Sequence, residues 1–220
     1  VLQAAESNKL PGDLPHNRTS DAKVKQVKTG RVVCMFMLDT ESGLIAEARQ
    51  VQSPNCDDRP PDCVPTLIVV HGISLPPGDY GGPWIDQLFC NCLDVSAHSY
   101  FEEIADSCVS AHFLVRRDGE LVQYVPVTRR AWHAGESSYA GQSGCNDFSI
   151  GIELEGEDET PYEEAQYHCL ATLIMTLRQT VASLATADIV GHSDIAPGRK
   201  TDPGTAFDWR ALESLLTVET

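Results

Sequence analysis

The chain has 220 residues, 42% of them hydrophobic, and a formal net charge of −16 from 16 basic and 32 acidic side chains. That length supports one domain with a full core, or a domain plus an extension, and no apolar run approaches the roughly 20 residues a membrane span needs. The acid excess argues against a nucleic-acid partner, because phosphate binding requires clustered lysine and arginine.

Residues 1–28 are polar and carry no sustained period, so they are expected to form a flexible extension, leaving 29–220 as the folded domain. They also hold most of the lysines: after Lys28 the only lysine is Lys200, and every other cation is arginine. The chain has no apolar signal-peptide core, which points to a cytoplasmic protein. A leader removed ahead of Val1 is the alternative and would make it periplasmic or exported. The eight cysteines include no CxxC pair, so a four-thiolate zinc site has little support. Reduced thiols are expected in a chain too large to need disulfides for its core.

In chain order, the run Thr66–Val70 is β-branched and apolar and predicts a buried strand with His71 at its end. Between 112 and 125, Asp118-Gly119 separates two apolar segments and predicts a hairpin. Residues 149–155 (SIGIELE) alternate, with Ile150, Ile152 and Leu154 on one face and Gly151, Glu153 and Glu155 on the other. Thr160-Pro161-Tyr162-Glu163 has the form of a capping box with proline at the first helical position. An apolar stripe of Leu170, Leu173, Ile174, Leu177, Val181 and Leu184 follows it. Residues 187–192 predict a further strand delivering His192, and Asp208 predicts the cap of a last helix with Trp209, Leu212, Leu215 and Leu216 facing the core. Strands interleaved with helices around a hairpin give an α/β fold, a central mixed β-sheet flanked by α-helices.

The stretch GHSDIAPGRKTDPG (191–204) packs a histidine, two aspartates and the lone lysine among prolines and glycines. It is expected to be a shaped loop, neither helix nor strand. A single lysine among arginines suits a task needing a compact ammonium. His71 and His192 leave the ends of two strands that can share a rim, and Asp202 can fold back to them. Two imidazoles and a carboxylate are the ligand set of a catalytic zinc with an open fourth position. With seven histidines in the chain, spacing alone leaves other pairings open.

Four stretches, 66–89, 110–141, 145–156 and 191–209, resemble the AmpD-type N-acetylmuramoyl-L-alanine amidases of the amidase-2 group. The resemblance implies a zinc amidase acting on 1,6-anhydro-N-acetylmuramoyl peptides during cell-wall recycling. The bond cut joins the lactyl carbonyl of muramic acid to L-alanine, and a monomer is the expected state. Carried over by position, the zinc ligands fall on His71, His192 and Asp202, the general base on Glu153 and the oxyanion-stabilising cation on Lys200. Glu155, on the same strand face, is the alternative base. Asp194 and His112 are expected to be structural, His133 to shape the pocket, and Trp132 to be either core or sugar platform. Substrate-contacting positions fall on Gly72, Cys108, Ala131 and Leu154. Relatives commonly carry asparagine at the position of Gly72 and arginine at those of Cys108 and Gly144. The resemblance therefore implies weakened or redirected anchoring of the muropeptide's charged groups, unless Arg116, Arg117 or Arg199 takes over. Two other readings compete: an exported amidase acting on intact peptidoglycan, and a protein that binds wall fragments without catalysis. The second requires loss of a metal ligand, and none is lost.

Overall fold

The computed structural model describes residues 35–217; the expected extension over 1–28 lies outside them. Six strands form one sheet: β1 (Arg49–Gln50), β2 (Leu67–Ile73), β3 (Phe113–Val115), β4 (Leu121–Gln123), β5 (Ser149–Glu155) and β6 (Asp188–Gly191). Their spatial order is β6-β2-β5-β3-β4-β1, parallel throughout except for the antiparallel β3–β4 hairpin. The hairpin turns at Asp118-Gly119, where the Gly119 N–H donates to the Arg116 carbonyl at 2.9 Å. The mixed sheet expected from the sequence is therefore present.

Five helices flank it: α1 (Trp84–Phe89), α2 (Ser99–Ile104), α3 (Glu164–Thr180), α4 (His192–Ile195) and α5 (Trp209–Thr217). One face of β2 and β5, carrying Ile68, Val70, Ile150, Ile152 and Leu154, packs against Leu170, Leu173, Ile174 and Leu177 of α3 and Leu212 of α5. On the other face Leu67, Val69 and Val190 meet Ala134, Cys145 and Phe148, while Leu114 and Val122 meet Leu88, Phe89 and Phe101. All seven residues of β5 are buried, as befits a parallel strand covered on both sides.

Three boundaries differ from expectation. The cap of α3 is Glu163, not Thr160, and Gln166 Oε1 accepts from the Glu163 N–H at 3.0 Å. Thr160 instead bridges back to Glu157, and the chain stays extended long enough to send Tyr162 inward before the helix starts. The apolar stripe outlasts its helix: α3 ends at Thr180, and Leu184 is buried from a short 3₁₀ turn. The loop after β6 opens with the single helical turn α4, although its Pro/Gly content predicted no helix. The cap at Asp208 is as expected, its Oδ1 accepting from the N–H groups of Arg210 and Ala211 at 3.0 and 3.1 Å. All seven cysteines among the described residues are free.

Candidate metal centre and active site

Three adjacent parallel strands bring the candidate residues together at their C-terminal ends, where ligands gather in open α/β sheets. In the β5–β2 register Glu153 lies opposite His71, and in the β6–β2 register Gly191 lies opposite Val70, so His192 follows directly beside His71. Both Glu153 and His71 sit on the face turned away from α3 and α5. Alternation along each strand sets that choice, since Val70 and Ile152 fill the other face.

Asp202 reaches the same point from the following loop. The Ser193 N–H donates to the Asp202 carbonyl at 3.0 Å, and the Tyr162 hydroxyl donates to the Pro203 carbonyl at 2.9 Å. Gly204 has φ +84°, and a Cβ there would land on the backbone of Asp158, so only glycine permits this return. Asp194 Oδ2 accepts from the Gly191 N–H at 2.7 Å, which makes it the structural turn residue expected.

Two imidazole nitrogens and one carboxylate oxygen form a small triangle. His71 Nδ1 and His192 Nδ1 are 3.0 Å apart, and Asp202 Oδ2 is 3.2 Å from the first and 3.0 Å from the second. Ligands of a tetrahedral zinc with bonds near 2.0 Å stand about 3.3 Å from one another, so the set fits such an ion with little adjustment. The donor chemistry fits too, because His192 Nε2 lies 3.2 Å from the Ala134 carbonyl. A carbonyl can only accept, so the proton sits on Nε2 and Nδ1 is left as a lone pair. Burial holds the His71 imidazole down to a pKa of about 4, which keeps it neutral and able to ligate.

Glu153 stands beside the triangle, 8% exposed, and its Oε2 has no hydrogen-bond partner among the described residues. Burial, reinforced by the Asp202 charge and opposed by Lys200, pushes its carboxyl well above the ordinary range. Glu155 is differently placed. It is 1% exposed, pairs with Arg116 Nη1 at 2.9 Å and accepts from the Gly81 N–H at 2.7 Å. Its oxygens are committed to structure, so the geometry separates the two carboxylates that the sequence left as alternatives.

A cleft of about 800 Å³ opens over the triangle. One wall is apolar, with Leu75, Leu88, Phe89, Tyr100, Ile104 and Val109; the other carries Glu157, Asp158 and Glu159. Lys200 lines it, as do His71, Gly72, His133, Glu153, His192 and Asp202.

The expected substrate contacts divide. Gly72 lines the cleft and Cys108 is exposed between two lining residues, Ser107 and Val109. Leu154 and Ala131 are both 0% exposed, in the core beneath α3 and under α1 and α2 respectively. Their side chains cannot touch a ligand, and this corrects the expectation for them. Gly144 lines a separate depression with Gly135 and Arg199. Neither Arg116, Arg117 nor Arg199 lines the cleft: they bind Glu155, Glu163 and the Ala134 carbonyl. Trp132 is absent from it as well and donates to Asp57 at 3.2 Å. His112 is structural, with Nδ1 accepting from the Gly151 N–H at 3.1 Å. The sequence reading missed the acidic wall and the role of Tyr162, whose hydroxyl occupies the space beside Gly72.

The pattern of the amidase-2 family, N-acetylmuramoyl-L-alanine amidase, matches residues 60–205. The chain belongs to this family. Among curated relatives, the 1,6-anhydro-N-acetylmuramyl-L-alanine amidase AmpD of Enterobacter cloacae is 58% identical over 178 residues, covering 81% of this chain and 95% of the relative. The protein of the same name from Escherichia coli K12 is 57% identical over 180 residues, covering 82% and 98%. A crystal structure of a selenomethionine AmpD derivative aligns with a TM-score of 0.79 at 56% identity, over 82% of this chain and 99% of that one. The amidase fold and amidase activity expected from the sequence are thus those of the family to which the chain belongs.

Proposed function

We propose that residues 29–220 form a zinc-dependent amidase that hydrolyses the lactyl-amide bond between 1,6-anhydro-N-acetylmuramic acid and L-alanine in soluble muropeptides. The setting is recycling of wall fragments in the cytoplasm, and the enzyme acts as a monomer. The observation that carries this reading is the triangle of His71 Nδ1, His192 Nδ1 and Asp202 Oδ2, with the buried carboxylate of Glu153 beside it, its Oε2 without a partner among the described residues. High identity to relatives named for that substrate supports the choice of bond.

His71, His192 and Asp202 would hold the ion. Such an ion would supply Lewis-acid polarisation of the scissile carbonyl and would lower the pKa of a water beside it toward neutrality. Glu153 accepts the proton of the attacking water and passes it to the departing alanine nitrogen; a carboxyl raised by burial is suited to both halves of that task. Lys200 presents its ammonium to the carbonyl oxygen as negative charge develops there. The apolar wall excludes water from one side of the substrate.

The test is incubation with anhydro-muropeptide and with intact sacculi, with and without chelator, and product masses as the readout. Release of stem peptide from the soluble substrate, lost on chelation and restored by zinc, is expected. Full activity in metal-free protein would sink the mechanism, and preference for sacculi would replace the substrate with intact peptidoglycan.

A further inference from the structure

His133 reaches the candidate ligand His71 from behind. Its Nδ1 lies 2.9 Å from His71 Nε2, the nitrogen pointing away from the triangle. Its own Nε2 lies 3.1 Å from Ser149 Oγ, and that hydroxyl donates to the Cys145 carbonyl at 2.5 Å. The direction of the whole chain follows from its last member. A carbonyl only accepts, so the Ser149 proton is spent on Cys145, and the Ser149 oxygen accepts from His133 Nε2–H. His133 Nδ1 is then a lone pair, which accepts from His71 Nε2–H. The second nitrogen of His71, Nδ1, is left bare and aimed at His192 and Asp202.

We propose that His133, oriented by Ser149, is a positioning residue that fixes the tautomer of His71 and so presents a lone pair to the metal. The inference rests on the metal-centre reading above. Two features show that the fold makes room for this contact. A Cβ on Gly151 would land inside the His133 ring, so glycine in the middle of β5 is what lets the imidazole approach the sheet. Asn146 Oδ1 accepts from the N–H groups of His133 and Ala134 at 3.0 and 2.8 Å and fixes the backbone from which the ring projects. The second ligand is set by the same logic in a shorter form, with the Ala134 carbonyl holding His192 Nε2–H. Adjacent residues, 133 and 134, therefore orient both imidazole ligands, one by a side chain and one by a main-chain oxygen.

Zinc affinity, measured by competition with a chelating dye, reads this directly and without turnover. His133→Phe keeps the ring shape and removes the acceptor; its zinc affinity is expected to fall about 10–100-fold. His133→Asn, which returns an oxygen near the Nδ1 position, is expected to recover most of that loss. Ser149→Ala should fall between them. In the native metal-free chain, ¹⁵N resonances of His71 should report a proton on Nε2 and none on Nδ1. A His133→Phe protein that folds and holds zinc as tightly as the native chain would overturn the proposal. So would a His71 proton found on Nδ1, a result that stands even where the variants fail to fold. A native chain that binds no zinc in the same competition would overturn the metal reading instead, and the tautomer measurement would still judge the relay.

Discussion

Glu153 is a costly residue in the place where it stands. Its carboxyl is buried beside Asp202 with one oxygen unpartnered among the described residues, and its pKa is raised by that burial. A carboxyl whose folded pKa exceeds the unfolded value contributes stability below about 4.3 and loses it as pH climbs through the folded value. At neutral pH the metal-free fold therefore gains from its removal. Glu153→Gln should raise the melting temperature of metal-free protein at pH 7, by about 2–4 °C for each kcal/mol relieved, while leaving it unchanged near pH 4. The same variant should retain zinc yet lose roughly 10²–10⁴ in kcat, the usual worth of a positioned acid–base. Lys200→Ala should cost about 10²–10³ with zinc likewise retained. If Glu155→Gln proved the more damaging carboxylate change to kcat in folded, zinc-loaded protein, the roles assigned along β5 would be wrong.

At the level of elements, the return loop is tied to β2 through Tyr162. A Cβ at Gly72 would collide with the Tyr162 hydroxyl but would stand 3.7 Å from its Cζ, an ordinary contact. Gly72→Ala alone should therefore cost about 1–3 kcal/mol from overpacking. Tyr162→Phe loses the hydrogen bond to Pro203, about 1 kcal/mol. The double variant should be more stable than the sum of the two, a favourable coupling seen in denaturant melts of all four proteins; strict additivity would show that residue 72 and Tyr162 do not compete for space. This pairing also marks the limit of what the sequence allows to be read. The alternation of 149–155 assigned both faces of β5, and the β-branched run before His71 located its neighbour, because side-chain period and burial are local properties. Parallel register is not local, so the strand pattern alone did not separate Glu153 from Glu155; the resemblance put the base on Glu153, and Arg116 holds Glu155 in a structural pair. The start of α3 was misplaced for a related reason: the demand for Tyr162 at the loop outweighed a good capping pattern at Thr160. Leu154 and Ala131 were misread because a main-chain neighbour of a site and a side chain facing it look alike in a motif. The resemblance placed His133 at the pocket, and Gly151 was the signal for its packing against β5, since glycine inside a strand often marks the close approach of another group.

Across the whole molecule, charge and buried imidazoles set the response to conditions. His71, His112 and His133 are all buried, and burial lowers each below its ordinary value, His71 to about 4 and His112 to about 3. A histidine depressed in the fold contributes stability above its unfolded pKa near 6.5 and loses it as pH falls toward the folded value. Metal-free protein should accordingly lose on the order of a few kcal/mol between pH 6.5 and 4, by chemical denaturation at each pH, and zinc should steepen the loss because its ligands must be unprotonated. Because Glu153 titrates in the opposite sense over that range, the deciding profile is that of the Glu153→Gln variant, and a flat one there would mean that these imidazoles are not neutral in the fold.

The net charge of −16 bears on the substrate as well as on stability. Glu157, Asp158 and Glu159 stand along one wall of the cleft, and among the described residues lining it the only lysine or arginine is Lys200. A muropeptide carrying free carboxylates approaches this cleft against the field of the protein, where an arginine-lined cleft would draw it in. Salt screens such repulsion, with a Debye length of about 10 Å at 0.1 M. Raising ionic strength from about 20 to 200 mM should therefore increase kcat/KM on an anionic muropeptide, chiefly through a lower KM, and leave an uncharged amide analogue unaffected. The triple variant Glu157→Gln, Asp158→Asn, Glu159→Gln should abolish most of that salt dependence. A fall in kcat/KM with salt in the native protein would show instead that attraction to Lys200 and the bound ion outweighs the acidic wall.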